Sequence, residues 1–293
     1  MTTFMCRYDG VCNIRTLNGD VLMSTNQTAF QSETPTDTLR DAFSQSHNAV
    51  QWLARLVRSF RSINAGADIA LRWNDERNAF ATDDFADGLK VEMRLPELTL
   101  QFLEHGQPAK HPLHMEGRSP AQVEAWILVE LLHRGLDRGR FSKDLPYDIP
   151  HPMSGDSVEY SPEFREGELK TILDWFSAAA DLLKKISQKP DSKHDGSSGL
   201  TLCTRDFSLE VNIPQIGQDA TTQNNGLIRV GFFPLRMGVV DPHYRVARSE
   251  SSKGPDVFEI IKVSGTTPTE IAGQAIAKRI SEAVAKLQRR AVQ

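Results

Sequence analysis

Apolar residues recur at helical spacing in two long stretches of the chain. Between Leu39 and Leu56 they fall at positions i, i+3, i+4 and i+7, and a matching series 130 positions later runs from Leu169 to Ile186. This spacing places apolar side chains on one side of a helix. The pattern therefore predicts two amphipathic helices with similar buried faces. The matched positions are Leu39 and Leu169, Ala42 and Ile172, Phe43 and Leu173, Ser46 and Phe176, Ala49 and Ala179, Val50 and Ala180, Leu53 and Leu183, and Leu56 and Ile186.

Runs with strand-like composition follow each of these helices, and Gly, Pro and Asp-Asp turns separate them. Short strands divided by such turns are typical of an antiparallel meander. The sequence therefore predicts one meander in each half of the chain. The predicted strands are 69–73, 89–95, 98–103 and 110–116 in the first half, and 200–213, 227–233, 244–248 and 257–263 in the second.

Each half is predicted to end in a second, capped helix. Residues 119–122 read Ser-Pro-Ala-Gln, and residues 267–270 read Thr-Pro-Thr-Glu. Ser or Thr suits the N-cap, Pro suits the first helical position, and Gln or Glu three residues after the cap completes a capping box. The predicted buried faces are Val123, Ile127, Leu128, Leu131, Leu132 and Leu136 in the first of these helices, and Ile271, Ala275, Ile276, Arg279, Ile280 and Val284 in the second.

The order of these elements suggests an internal duplication. The segment 117–123, GRSPAQV, recurs as GTTPTEI at 265–271, each time between a strand-like run and a helical pattern. Helix, antiparallel strands and helix, repeated, predict an α+β fold of two units related by a pseudo-twofold axis. The second copy is longer by 18 residues, and we expect most of them in a long loop at 214–226.

These patterns divide the chain into four parts. We expect a loosely ordered N-terminal tail at 1–36, a first α+β unit at 37–136, a proline-rich connector at 137–166 and a second unit at 167–293. The tail is polar and aperiodic, and Met23 is a plausible natural start, which would leave residues 1–22 outside the native protein.

Composition restricts the partners and the compartment. The formal net charge of −4 and the lack of a basic run predict no nucleic-acid binding. The most apolar stretch, 123–132, is short and contains Glu124 and Glu130, so no membrane span is predicted. The N-terminus has no secretory pattern, and three cysteines are an odd, sparse set, which favours a reducing cytoplasm.

No familiar catalytic or cofactor motif occurs. The sequence contains no GxxxxGK[ST], GxGxxG, HExxH, paired CxxC or GxSxG pattern, so we predict no cofactor. His105, His111, His114 and Glu116 are the nearest approach to a metal cluster. His111 and His114 would point to opposite faces of a strand, and His114 aligns with a solvent-exposed position of the second copy. We therefore predict surface histidines and no metal site.

Two segments that the copies do not share are the candidate sites. In the connector, residues 145–152 read LPYDIPHP, and the prolines hold Tyr147 and Asp148 on a rigid frame. This segment either walls a cleft or only covers apolar surface. Residues 241–245 read DPHYR and are predicted as a turn between two apolar runs. His243, Tyr244 and Arg245 offer a base, a hydroxyl and an anion clamp, although a plain surface turn is the alternative.

Several segments together resemble a family of uncharacterised bacterial proteins. These are residues 117–126 (GRSPAQVEAW), 145–150 (LPYDIP) and 175–183 (WFSAAADLL). Members of that family characteristically carry a Trp-Pro-His-His-Phe-Asp segment and a Gly- and Trp-rich stretch in the second half. Here 203–208 reads CTRDFS and 257–263 reads VFEIIKV, so this chain lacks both. The resemblance implies the same architecture and supplies no activity.

Two functional hypotheses follow. The first is a non-catalytic protein that binds a small molecule or another protein on a duplicated scaffold, with the ligand between the two units. The second is a hydrolase or transferase whose site is formed by the 145–152 linker and the 241–245 loop. In that hypothesis His243 is the base, Arg245 the anion clamp and Asp148 the residue that orients the base.

Overall fold

The computed structural model describes residues 35–62, 68–187, 199–214, 227–236, 239–250, 254–263 and 273–290, all within one compact unit. Within these ranges the chain forms four α-helices and one 3-10 turn at Arg138–Arg140. The helices are α1 (Pro35–Phe60), α2 (Pro120–His133), α3 (Glu166–Ser187) and α4 (Gln274–Arg290). The predicted tail at 1–36 lies outside the described residues except for its last two positions, which open α1.

All described strands belong to one antiparallel sheet, in the order β11-β10-β9-β8-β7-β1-β2-β3-β4-β5, with β6 also paired to β4. The strands of the two halves meet where β1 pairs with β7, with Leu71 opposite Leu202. The strands are β1 (Ala70–Asn74), β2 (Ala79–Ala81), β3 (Leu89–Arg94), β4 (Thr99–Glu104), β5 (Gln107–Pro108), β6 (Leu113–His114), β7 (Thr201–Cys203), β8 (Ser208–Pro214), β9 (Leu227–Arg236), β10 (Val239–Glu250) and β11 (Gly254–Lys262).

This arrangement confirms the predicted α+β class. The duplication stays a prediction, and the two halves contribute strands to a single sheet.

The sheet has an apolar face packed on the helices, called here the helix face, and an opposite, polar face, called the outer face. Successive side chains of a strand alternate between the two faces. Aromatic rings from sheet and helices form the centre of the core on the helix face, with Phe176 of α3 within 5.1–6.4 Å of four other rings. Those four rings belong to Trp73, Phe80, Phe207 and Phe232.

Helix α1 is buried on more than its apolar face. The predicted face is in the core from Ala42 to Leu56, and most of the polar residues between these positions are buried as well. The connector lies across them: Asn48 donates to the His151 carbonyl at 3.1 Å and accepts from the Met153 N–H at 2.8 Å. Trp52 Nε1 donates to the Tyr160 hydroxyl at 3.1 Å. Periodicity alone predicts a half-exposed helix, because it carries no information about a covering segment.

Helix α2 begins as predicted. Ser119 accepts from the Gln122 N–H at 3.3 Å and donates its own N–H to Gln122 Oε1 at 3.0 Å, which completes the capping box. Val123, Ile127 and Leu131 are buried as expected. The prediction is wrong for Leu132, which is 55% exposed, and Val129 is also 47% exposed, so no described residue covers these side chains.

Helix α4 is described from Gln274, so the predicted cap at 267–270 lies outside the described residues. Ile276, Ile280 and Val284 are buried as predicted. The prediction is wrong for Ala275 and Arg279, which are exposed, and the buried face continues instead through Ala283 and Leu287.

The predicted loop at 241–245 is a strand. These residues lie in β10, which pairs with both β9 and β11. Pro242 suggested a turn, but the register with β9 shifts between Val240 and His243. An irregularity of this kind accommodates a proline, because no ladder hydrogen bond is required from its nitrogen. The long loop predicted at 214–226 falls outside the described residues, apart from Pro214 at the end of β8.

Candidate functional site

Tyr147 of the connector is fixed by α1 and by the turn between β7 and β8. Its hydroxyl donates to Gln51 Oε1 at 3.0 Å and also contacts the Thr204 hydroxyl. Gln51 Nε2 and His47 Nε2 both donate to the Thr204 carbonyl, at 2.8 and 2.9 Å. Burial raises the pKa of Tyr147 well above its ordinary value, while the hydrogen bond to Thr204 acts in the opposite direction.

The polar groups of this network are mutually satisfied. His47 stacks on Phe207 with 5.4 Å between ring centroids, and burial lowers the pKa of His47, so the neutral form is favoured. The Thr204 hydroxyl donates to the Ile69 carbonyl at 2.7 Å. A fully paired buried network makes the local structure rigid. This geometry favours the interpretation of the 145–152 segment as a cover over α1, and Tyr147 as a residue that locks it.

Asp148 takes no part in this network. It is exposed, and no described residue makes a hydrogen bond or ion pair with it. The contacts of Tyr147 and those of His243 among the described residues share no member. The structure therefore does not gather the five predicted site residues into one constellation.

Strand alternation also divides the three candidates on β10. Tyr244 lies on the helix face, fully buried, with its ring 5.3 Å from that of Phe232. Among the described residues its hydroxyl has no hydrogen-bond partner, and burial raises its pKa far above the ordinary value. His243 and Arg245, two residues apart, share the outer face. The three side chains therefore cannot form one site, because they lie on opposite faces of the sheet.

His243 and Arg245 form a rigid pair on the outer face. His243 Nδ1 lies 2.6 Å from the Asp241 carbonyl, which only accepts, so the ring carries its proton on Nδ1. Its Nε2 then accepts from Arg245 Nε at 3.0 Å. The Arg245 guanidinium lies 4.0 Å above the Phe233 ring, and the His243 ring stacks on Phe233 at 5.6 Å. Both the orientation and the plane of the guanidinium are thus fixed.

Arg245 differs from other arginines that reach the outer face. Arg72 pairs with Asp83 at 3.1 Å, and Arg229 lies 3.5 Å from Glu210. Arg77 and Arg94 share the buried carboxylate of Glu92, at 3.5 and 2.8 Å.

Arg245 instead has a neutral imidazole as its hydrogen-bonding partner, and its terminal nitrogens have no partner among the described residues. Lys262 of β11, exposed and directly opposite His243, adds a second cation without a described partner. We call Arg245, His243, Phe233 and Lys262 the anion patch.

One carboxylate on the neighbouring part of the sheet, that of Glu210 in β8, is already engaged. Glu210 accepts from the Ser208 hydroxyl at 3.0 Å and pairs with Arg229, and burial raises its pKa. Gly231 separates it from Arg245 along the sheet. A Cβ at Gly231 would lie 2.9 Å from both Glu210 Cγ and Phe233 Cε2, so only glycine lets these side chains pack over β9.

Sequence reasoning missed Phe233, Lys262 and the ladder of paired arginines. The sequence predicts only a strand at 227–233 for Phe233, and only solvent exposure for Lys262, the position of the second copy that aligns with His114. Alternation along 229–233 would have placed Phe233 with the outer-face residues, but its contact with Arg245 depends on the register between β9 and β10.

Two cavities lie at the far end of the first half. One, of about 290 Å³, is lined by Asp87, Glu104, His105, His133 and Arg134, together with Ala86, Leu89 and Leu136. The other, of about 310 Å³, is lined by Glu97, His114, Glu116, Glu163 and Glu166, together with Pro96 and Pro162. His114 is exposed, as predicted, and no group of three or more described His, Cys, Asp or Glu residues is arranged to hold a metal ion.

Comparison with protein-family models, curated proteins and solved structures gave no match. None of the described helices is both long and apolar enough to cross a membrane.

Proposed function

We propose that this chain is a non-catalytic binding protein that holds an anionic group, a carboxylate or phosphate, at the anion patch. The observation that carries the proposal is the state of Arg245: its guanidinium is held in place by His243 and Phe233, yet no acidic residue of the described chain neutralises it. Arginine binds carboxylate and phosphate through paired N–H groups, and a fixed side chain loses little entropy on binding.

The alternative of a hydrolase or transferase has less support. His243 is fully buried and uses both ring nitrogens, one toward the Asp241 carbonyl and one toward Arg245, so neither is available to take a proton from a substrate. Cys203 is no better a nucleophile, because burial raises the pKa of its thiol to about 12. Asp148, the proposed orienting residue, is not part of this arrangement.

The proposal extends to compartment and partners. We propose a cytoplasmic protein without nucleic-acid partners. A free, buried thiol at Cys203 suits a reducing compartment. The ion pairs of Arg72, Arg77, Arg94 and Arg229 neutralise much of the positive charge that a polyanion would need.

The test is an NMR titration of the whole protein with inorganic phosphate and with succinate at low ionic strength. We expect saturable shifts in the side-chain signal of Arg245 Nε. The Arg245→Gln variant should bind at least about tenfold more weakly, because a charge-assisted hydrogen bond contributes about 1.5–3 kcal/mol. Arg72→Gln is the matched control, since Arg72 lies on the same face but already pairs with Asp83. Equal affinities of wild type and Arg245→Gln would refute the proposal.

A further inference from the structure

We propose that residues 142–153, called here the strap, are a displaceable cover that opens while the rest of the protein stays folded. The face of α1 that the strap uncovers then binds a proline-rich segment of another protein in its place. This inference goes beyond the anion patch and does not depend on it. It rests on how the strap backbone is held, on how little apolar surface the strap buries, and on the strained backbone of His151.

Side chains of α1 hold the backbone of the strap at both ends. Asn48 Nδ2 donates to the His151 carbonyl at 3.1 Å, and Asn48 Oδ1 accepts from the Met153 N–H at 2.8 Å. The Ser59 hydroxyl accepts from the Ser142 N–H at 2.9 Å. Within the described chain the strap makes no backbone–backbone hydrogen bond. Since side chains bind its main-chain groups, the same face of α1 can hold another segment that presents those groups in the same places.

The strap contributes few side chains to the contact. Leu145 and Tyr147 pack on a small apolar cluster, which consists of Ala54, Val57 and Ile69. Prolines at 146, 150 and 152 restrict the backbone between and beyond these two residues. Proline-rich ligands are recognised in a similar way, because a restricted backbone loses little entropy on binding and needs few side-chain contacts. The strap therefore occupies its site as a bound peptide would.

Opening of the strap exposes mainly polar groups. None of residues 142–153 is fully buried. On α1, the residues Asn48 and Gln51 are 3% and 0% exposed with the strap in place, and both side chains can hydrogen-bond to water once uncovered. Segments with few buried apolar contacts open at a lower free energy than the whole protein unfolds. We therefore expect the strap to open locally.

The closed strap has a strained backbone at His151. Its φ is +51°, in the left-handed region that is uncommon for residues other than glycine. Pro152 follows directly, and the residue before a proline prefers extended conformations. The hydrogen bond from Asn48 to the His151 carbonyl holds this conformation. Opening relieves the strain, which favours displacement, and strained residues of this kind cluster at ligand clamps and switch regions.

Tyr147 keeps the strap closed. Its hydroxyl donates to Gln51 Oε1 at 3.0 Å and contacts the Thr204 hydroxyl. Tyr147→Phe retains the ring on the apolar cluster but removes the donor to Gln51, so the strap of this variant should open more often. Asp148→Asn is the matched control, because Asp148 lies in the same strap, is exposed and has no hydrogen-bond or ion-pair partner among the described residues.

Native-state hydrogen exchange of the full chain, followed by NMR, measures the opening. The amides of Ser142 and Met153 report on the strap, and the amide of Val91, which donates to Thr82 Oγ1 at 3.0 Å, reports on the core. Relative to unprotected amides, the strap amides should exchange at least about tenfold faster than Val91. Tyr147→Phe should raise strap exchange about fivefold or more, and Asp148→Asn should leave it unchanged. Exchange of the strap amides at the same opening free energy as Val91 would show that the strap opens only on global unfolding, and the proposal would be wrong.

A capped peptide with the sequence of the strap, SKDLPYDIPHPM, tests the uncovered site by NMR titration into the same three proteins. The side-chain amide signal of Asn48 reports on binding. A site that is available only in the open state binds in proportion to the open fraction. Tyr147→Phe should therefore bind the peptide more tightly than wild type, by the factor by which its strap exchange rises, and Asp148→Asn should match wild type.

A peptide of the same composition in scrambled order is the sequence control and should not bind. Equal binding of the scrambled peptide, no binding of the strap peptide to Tyr147→Phe, or affinities that do not follow the open fraction would each overturn the proposed site. Sedimentation of the three proteins without peptide tests the source of the segment. A dimer that Tyr147→Phe makes tighter would identify the strap of a second copy as the occupant and would contradict a partner of different sequence.

Discussion

Replacing Tyr244 by Phe should stabilise the protein. The Tyr244 hydroxyl is buried on the helix face and finds no hydrogen-bond partner in the described part of the chain, while its ring packs against Phe232. An unpaired buried hydroxyl costs about 1–3 kcal/mol in proteins, and phenylalanine retains the ring without it. We therefore expect Tyr244→Phe to raise the free energy of unfolding by about 1 kcal/mol or more, the lower end of that range allowing for relaxation around the ring.

The matched control is Tyr160→Phe, which removes a paired hydroxyl from an equally buried ring. The Tyr160 hydroxyl accepts from Trp52 Nε1 at 3.1 Å, and its loss leaves the indole N–H buried and unpaired. That change should lower the free energy of unfolding by about 1–3 kcal/mol. Urea unfolding followed by far-UV circular dichroism at pH 7 measures both variants. A shift in midpoint at constant slope identifies a change in stability.

The two tyrosines should also make the stability of the protein depend on pH in the alkaline range. Burial raises the pKa of Tyr160 to about 12, and it raises that of Tyr244 as well, whereas an unfolded tyrosine ionises near pH ~10. Above pH ~10 the unfolded state therefore releases protons that the folded state keeps, and stability falls as pH rises. In each Phe variant the stability should therefore fall less steeply with rising pH than in the wild type. A destabilised Tyr244→Phe protein would show that the hydroxyl has a partner. An unchanged alkaline slope would show that the folded state does not keep the Tyr244 proton above pH ~10.

Two further predictions concern buried polar packing and backbone strain. Burial lowers the pKa of His47 in the folded state. The stability that the neutral imidazole contributes is therefore present above its unfolded-state pKa of about 6.5 and is lost as pH falls through its folded-state pKa. His47→Gln should flatten the difference in urea midpoint between pH 7 and pH 5, and an unchanged difference would contradict this. Gly88→Ala should lower the melting temperature more than Gly106→Ala. Both glycines have positive φ, +74° and +83°, so the two variants share the same backbone strain. Only at Gly88 would a Cβ also meet a side chain, with His105 Nδ1 at 2.3 Å. Equal losses in the two variants would show that the His105 ring moves aside freely.

The features that sequence predicts best are local. The capping box of α2 depends on residues three apart, and the buried positions Val123, Ile127 and Leu131 follow from the helical period. The helices α1 and α3 follow from the same period. Leu132 shows the limit of this prediction. Its spacing in the helix is that of a buried position, but it is exposed, because burial depends on which other segments pack against the helix.

Pro242 shows how a sound local rule gives the wrong element. Proline after aspartate is typical of a turn, and the rule assigns His243, Tyr244 and Arg245 to one loop where they could act together. In the structure the register shift between β9 and β10 accommodates the proline, and the strand continues. Once these residues are a strand, alternation alone separates Tyr244 from the other two. One wrong secondary-structure assignment therefore accounts for the whole predicted three-residue site.

The patch itself could not have been found from the sequence, because its defining property is that no described carboxylate pairs with Arg245. Arg229 acquires Glu210 from the neighbouring strand, and Arg94 acquires Glu92 from its own strand. Each pairing depends on which face a side chain occupies and which residue lies opposite. Arg245 stands opposite Gly231 on one side and Ile260 on the other, so no carboxylate is available across either ladder. A list of charged residues treats these arginines alike, whereas the register of β9, β10 and β11 leaves Arg245 without a carboxylate opposite it.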